Sequence, residues 1–147
     1  SGTSIDFTSI PSWVKRITVM LNGVSTSGTS VVQIRIGTGG SPDNSGYAGV
    51  VTLFNSSGAG AGAWNTSGCD LERSSQAAAS VRQASIVLSL VSSNAWVFSG
   101  SVAYTNTAVT YTTCGGKSLS GVLDIVRITT ANGTDTFDAG VINIIYE

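Results

Sequence analysis

The stretch Ala84-Ser-Ile-Val-Leu-Ser-Leu-Val-Ser-Ser-Asn-Ala-Trp-Val-Phe-Ser-Gly-Ser-Val-Ala-Tyr104 contains two runs in which apolar residues recur at every second position. A period of two is typical of strands that bury one face. The residues between the runs, Val91 to Ala95, are polar enough for a turn. The stretch therefore predicts a β-hairpin. The apolar positions of its two strands are Ala84, Ile86, Leu88, Leu90, Trp96, Phe98, Val102 and Tyr104.

The same alternation continues in both directions along the chain. Shorter candidate strands are Tyr47 to Phe54 and Ala108 to Thr113, and Gly-rich stretches such as residues 37–46 separate them. The pattern predicts an all-β fold, an antiparallel sandwich resembling a jelly roll with about eight to ten strands. One segment, Leu71 to Gln83, is expected to be loop or a short helix. Further alternating apolar positions are Trp13, Ile17, Val19, Leu21, Val32, Ile34 and Ile36, and we expect Trp13 and Trp96 to be core residues.

The last two predicted strands carry apolar residues on both parities. In Leu119 to Thr130 the residues Val122, Val126 and Ile128 alternate with Leu123 and Ile125. In the final strand Phe137, Ala139 and Val141 share one parity and Ile142, Ile144 and Tyr146 the other. Either a bulge at residues 138–140 exchanges the faces within one sandwich, or one face meets the core and the other a neighbouring subunit.

Composition limits the classes of function. The chain has 147 residues, which is enough for one domain. Of these residues 41% are hydrophobic and only 10% are charged, against roughly 25% charged in ordinary soluble domains. Seven basic and eight acidic residues provide no cationic surface for nucleic acid. Apolar runs such as Ile86 to Leu88 are far too short to span a membrane as a helix, so we expect no membrane insertion.

Three segments near the ends of the chain are informative together: Ile5 to Val19, Val126 to Thr130 and Thr134 to Glu147. They resemble the C-terminal domains of bacteriophage and prophage tail fibre or tailspike proteins. The resemblance implies a single domain, residues 1–147, for receptor recognition and trimerisation at the end of a longer fibre protein. It also implies a homotrimer located in the virion and made in the host bacterial cytoplasm. Because that compartment is reducing, we expect Cys69 and Cys114 to be free thiols.

The search for catalytic groups is mostly negative. The chain has no histidine, which excludes Ser-His-Asp and Cys-His nucleophilic sites and His-based metal sites. Among carboxylates, Asp70 and Glu72 form the best pair for glycoside hydrolysis, about 7 Å apart on one face if extended. Arg73 beside them indicates an ordinary exposed ion pair instead. We expect no cofactor and no metal; calcium at Asp43, Asp70 or Glu72 is conceivable, but EF-hand spacing is absent.

The aromatic residues are the best candidates for binding. Neutral sugars present apolar ring faces and many hydroxyls, so proteins hold them with exposed Trp or Tyr rings beside hydrogen-bonding side chains. Trp64-Asn65 fits this requirement, since a Gly/Ala-rich segment that we interpret as a flexible loop precedes it. Tyr47 is a second candidate, with the first position of a strand as the alternative. Further polar residues that we expect to line the same edge are Asp70, Glu72 and Arg73.

We therefore expect a non-catalytic domain at the tip of a tail fibre or spike. Its partner would be bacterial surface polysaccharide, lipopolysaccharide or capsule, bound for host adhesion, with neither nucleic acid nor membrane involved. One alternative is a structural module that trimerises and caps the fibre. Another is an accessory domain of a polysaccharide depolymerase.

Overall fold

A computed structural model describes residues 2–55, 58 and 60–147. Within these ranges the chain forms twelve β-strands and no helix, so the predicted all-β class is confirmed with more strands than expected. No described segment is a helix of the length and apolarity that a membrane crossing requires. The strands are β1 (Ser4–Thr8), β2 (Arg16–Thr26), β3 (Val32–Thr38), β4 (Ser41–Pro42), β5 (Tyr47–Asn55), β6 (Ala61–Asn65), β7 (Cys69–Asp70), β8 (Arg82–Ser92), β9 (Ala95–Tyr104), β10 (Val109–Ser118), β11 (Ile125–Thr130) and β12 (Phe137–Tyr146).

Two antiparallel sheets form the sandwich. The larger sheet has the order β12-β2-β8-β9-β10-β5-β6, and the smaller has the order β1-β11-β3-β4, with β7 also pairing to β3. The core lies between them. Ile17, Val19 and Leu21 point into it from β2, while Ile34 and Ile36 enter from β3. The alternation predicted for these strands is confirmed.

The predicted hairpin is present as β8 and β9. Its register pairs Leu88 with Phe98 and Leu90 with Trp96, and all four apolar side chains lie against the core. The turn falls at Ser93, whose φ of 46° is in the left-handed region. Trp96 is buried as predicted. The same prediction for Trp13 is wrong, since Trp13 lies in a turn before β2 and is 60% exposed.

In the last strand, β12, a bulge explains why apolar residues occur on both parities. The pairing of β12 with β2 shifts register between Phe137 and Val141, and Gly140 adopts a φ of 87°. Phe137 points inward before the bulge, and Ile142 and Ile144 pack on the core after it. An extra residue in one strand exchanges the faces in this way. Val141 and Ile145 are left pointing outward.

The other two-parity segment, Leu119 to Thr130, is less regular than predicted. Only Ile125–Thr130 is strand, and residues 119–124 form a connecting segment. Leu119, Leu123 and Ile125 of one parity are buried, and so are Val126 and Ile128 of the other, whereas Val122 in the connecting segment is 54% exposed. Because this chain buries both parities of the strand itself, the strand gives no support to a neighbouring subunit.

No helix forms in Leu71 to Gln83. The segment follows bends and a turn in which the amide of Ser80 donates to the carbonyl of Ala77 at 2.9 Å, and β8 begins at Arg82. Its path is fixed at both ends by burial, since Leu71 and Arg82 are completely covered. The loop alternative of the prediction is therefore confirmed.

Candidate functional site

The face of the seven-stranded sheet that points away from the core is called here the outer face. The pairing registers show which residues belong to it, because successive side chains of a strand point to opposite faces of the sheet. Two of its rows cross the whole sheet from β12 to β6. The first row is Ile145, Thr18, Val87, Ser99, Cys114, Val50 and Trp64; the second is Asn143, Met20, Ser85, Ser101, Thr112, Thr52 and Gly62.

The outer face is neutral and rich in hydroxyls. Charged residues are absent from both rows, and in the adjacent row at one end of the sheet Arg16 pairs with Glu147 at 3.3 Å. The opposite side of the molecule differs. There Arg127 binds Asp6 through two hydrogen bonds of 2.7 and 2.6 Å, with Arg35 on the neighbouring strand. The charges of the molecule thus concentrate away from the outer face.

Trp64 stands at the β6 edge of the outer face and is 79% exposed. The predicted exposure is confirmed, but the predicted loop is wrong: Trp64 belongs to β6, opposite Val50 of β5. The Gly/Ala alternation at Ala61 to Ala63 belongs to the same strand, with Ala61 and Ala63 turned inward and Gly62 outward. The pairing of β6 with β5 fixes the backbone that carries the indole.

Phe54 is a second exposed aromatic residue on the outer face, and it is absent from the residues predicted from the sequence. It follows Val50 and Thr52 at every second position of β5 and is 51% exposed. Four residues of strand separate its level from that of Trp64, about 14 Å. The available signal was parity, since Val51 and Leu53 are inward and Phe54 must then point out.

Asn65 does not accompany Trp64, and the prediction that both face one ligand is wrong. Neighbouring residues of a strand point to opposite sides of the sheet. Asn65 is buried in the core side of β6, where its Nδ2 donates to Thr113 Oγ1 at 2.9 Å. Its Oδ1 is buried without a hydrogen-bond partner.

Tyr47 is likewise a core residue, so the prediction that it binds sugar is wrong in its premise of exposure. The phenol oxygen accepts from the amide of Ile36 at 2.8 Å, and burial raises the pKa of Tyr47. Lys117 Nζ lies 5.6 Å from the ring centroid and binds Asp43 at 2.7 Å. Tyr47 thus ties the two sheets together at one end of the sandwich.

The pair Asp70 and Glu72 is not the exposed pair that the sequence suggested. Glu72 is completely buried, and its Oε1 accepts from Arg82 Nη2 and from the amide of Val32, each at 2.9 Å. Asp70 is half-buried and accepts from Gln33 Nε2 at 2.5 Å. With one carboxylate committed to a buried ion pair, the two do not form a glycosidase pair.

Arg73 is exposed and takes no part in the Glu72 ion pair. The predicted set of ligand-binding residues therefore separates: Trp64 lies on the outer face, Asp70 on the smaller sheet, and Tyr47, Asn65 and Glu72 in the interior. The structure does not bring the polar candidates to Trp64. The polar side chains near Trp64 on the outer face include the hydroxyl of Thr52.

Both cysteines are free, as predicted. Cys69 is buried, with its Sγ 3.8 Å from Thr113 Oγ1, and burial raises the pKa of its thiol. Cys114 lies exposed in the middle of the outer face. No cluster of three or more potential metal ligands occurs among residues 2–55, 58 and 60–147. Comparison with known proteins gives no matching family, no similar curated protein and no similar solved structure.

Proposed function

We propose that this chain is a non-catalytic tip domain of a phage tail fibre or spike that recognises bacterial surface glycan, lipopolysaccharide or capsule, for host adhesion. The observation that carries the proposal is Trp64, an indole held by a regular strand with 79% of its surface in water. An exposed aromatic ring carried by a strand offers an apolar surface on which the face of a sugar ring can stack.

The surroundings of Trp64 suit a sugar. Pyranose rings offer an apolar face to an indole and a rim of hydroxyls to polar neighbours. Thr66, just after the end of β6, is exposed, and Thr52 lies on the neighbouring strand. A hydroxyl-rich surface without charge matches the chemistry of an uncharged glycan better than that of nucleic acid, which requires cationic contacts.

The test is the variant Trp64→Ala, with Trp13→Ala as the matched control, because Trp13 is an exposed tryptophan outside the outer face. Trp64→Ala should weaken glycan binding by about 1 to 3 kcal/mol and leave the melting temperature nearly unchanged. Trp13→Ala should bind like the parent. A glycan array identifies the ligand. Calorimetric titration with soluble fragments of that glycan then gives a dissociation constant for the parent chain and for each variant. Unchanged binding by Trp64→Ala, or no glycan bound at all, contradicts the proposal.

The second candidate function is trimerisation and capping of the fibre. It is favoured by β12, which ends the strand order of the larger sheet and presents Val141 and Ile145, 64% and 59% exposed. Apart from one bridge between Gly2 and Phe137, none of the described residues pairs with the outer edge of β12. Long apolar edges tend to pair with other chains. We propose that this edge meets its copies in a homotrimer in the virion, which light scattering of the chain tests.

The two functions are compatible within one molecule. β12 and β6 are the opposite ends of the seven-stranded order, six strand spacings apart, or roughly 29 Å measured along the sheet. A trimer built on the β12 edge leaves the β6 edge with Trp64 directed outward. Adhesion and assembly then use different edges of the same sheet.

A further inference from the structure

We propose that the glycan site is a linear groove along β5 and β6, bounded by Trp64 and Phe54, and that it takes an unbranched, uncharged stretch of several linked sugars. This inference rests on the proposed function and extends it from one indole to a class of ligand. Trp64 and Phe54 are both exposed on the outer face and belong to paired strands.

The separation of the two rings sets the length of the ligand. Their levels differ by four strand residues, about 14 Å, which is longer than a single pyranose ring. One sugar on Trp64 therefore does not reach Phe54, whereas a chain of linked sugars running along the strands contacts both. Monosaccharides should then depend on Trp64 alone.

The surface between the two rings has little side-chain bulk because two glycines lie there. Gly62 of β6 pairs with Thr52, and Gly60, just before β6, also lies next to Thr52. A Cβ at Gly60 would come no closer than 3.9 Å to any neighbouring atom, and one at Gly62 would lie 3.3 Å from Val50 Cγ1. Gly60 thus leaves room for a ligand, while Val50 Cγ1 borders the position above Gly62. A ring lying there meets no side chain of β6.

One side of the groove carries hydroxyls. Thr110 pairs with Phe54 and Thr112 with Thr52, so both threonines of β10 lie beside the groove, and both are exposed. Hydroxyls donate and accept hydrogen bonds, which matches the hydroxyls of a sugar chain.

Charge selects further among glycans. The row that contains Thr52 and Gly62, between the levels of Trp64 and Phe54, has no charged residue. Lys117, farther along β10, is already paired with Asp43. A carboxylate or phosphate on a sugar would lose hydration in the groove and gain no cation in return. The groove should therefore favour neutral chains over acidic ones.

The experiment compares ligand length and three variants. A glycan array of bacterial lipopolysaccharide and capsule chains gives the strongest binder, whose size-fractionated fragments are titrated by calorimetry. Phe54→Ala and Gly62→Val should each weaken binding of long fragments about tenfold and leave the shortest ones unaffected. Val97→Ala, also exposed on the outer face but outside the groove, is the control and should bind all fragments like the parent.

The outcomes separate the groove from the proposed function. If Trp64→Ala loses binding while Phe54→Ala and Gly62→Val bind long fragments like the parent, glycan recognition stands and the groove is overturned. A strongest binder that is acidic also overturns it. If Trp64→Ala binds normally or the array is blank, the proposed function fails and the groove with it. If Phe54→Ala lowers the mass in solution, the face meets another copy of the chain and the groove is overturned. Melting curves of each variant confirm that it is folded.

Discussion

At the scale of single residues, burial decides what each candidate can do. Glu72 looked like a surface carboxylate because Asp70 and Arg73 flank it, and nothing local indicates that Arg82, ten positions later, is its partner. Trp64 was recognisable because a large ring after small residues has little to pack against. Asn65 was misplaced because glycine and alanine differ little in hydropathy, which hid the period of two. A strand partner far along the chain was needed to place it.

The buried ion pair makes Glu72 sensitive to substitution. Glu72→Gln keeps the shape but leaves Arg82 charged and unpaired inside the sandwich, where its guanidinium also lies 5.4 Å from the Tyr104 ring centroid. We expect a loss of about 3 to 5 kcal/mol in the free energy of unfolding. Asp6→Asn, which removes the partly exposed pair with Arg127, should cost about 0 to 1 kcal/mol. Denaturant titration measures both, and equal losses would contradict the distinction.

Asp70 should make stability depend on pH. Burial raises the pKa of Asp70 from 3.8 to about 6, against the opposing effect of its hydrogen bond from Gln33. The folded state therefore holds the proton more tightly, so this contribution to stability is present below pH 3.8 and is lost as pH rises through about 6. Because the side chain is partly exposed, we expect a change of about 1 to 2 kcal/mol.

The measurement is denaturant unfolding at several pH values across that window for the parent chain and for Asp70→Asn. Asparagine does not titrate and keeps an oxygen that accepts from Gln33. The difference in unfolding free energy between the two chains should shift in favour of the variant as pH rises. A difference that stays constant across the window assigns the pH dependence to other groups.

At the scale of elements, a period of two predicted the strands in which apolar residues alternate with clearly polar ones. This period predicted β8, β9 and the turn between them, and the bulge at residues 138–140 was one of two explanations offered for β12. The pattern failed in β6, where the contrast is between glycine and alanine. It also extended the strand before Thr130 too far, because buried residues of a connecting segment look like strand residues in sequence.

Close approach between β5 and β10 gives an element-scale prediction. A Cβ on Gly115 would lie 2.5 Å from the Gly49 Cα and 2.6 Å from Phe98 Cζ, distances that packed atoms do not adopt. Gly115→Ala should force these strands apart or displace Phe98, destabilising the chain by about 1 to 3 kcal/mol. The control is Gly60→Ala, with no atom nearer than 3.9 Å to the added carbon. Thermal unfolding compares them, and equal melting temperatures would contradict the tight packing.

At the scale of the whole molecule, the strand order could not have been derived from local pattern. β12 joins β2 and β5 joins β10, pairs separated by long stretches of chain, and alternation alone does not select partners. That order puts Trp64 and Ile145 at opposite ends of a single row. It also gathers the neutral residues of distant segments onto one face. The proposed division between a glycan edge and an assembly edge depends on this order.

The proposed trimer gives a prediction at the same scale. Ile145→Lys places a charge on the β12 edge, so the mass in solution should fall from three chains to one while the fold is retained. Val97→Lys is the matched control, because Val97 is an exposed valine of the outer face in β9, three strands from β12. It should remain a trimer. Light scattering gives the masses, and circular dichroism checks the fold.

The reactivity of Cys114 tests which surface the proposed trimer uses. Cys114 lies on β10, four strand spacings from β12, or about 19 Å along the sheet, and it is the exposed one of two free thiols. If copies meet through the β12 edge, Cys114 reacts with a thiol reagent equally fast in the trimer and in Ile145→Lys. Protection of Cys114 in the trimer alone would show that the copies cover the outer face instead. A parent chain that is already monomeric contradicts the assembly proposal, and the exposure of Val141 and Ile145 would then need another partner.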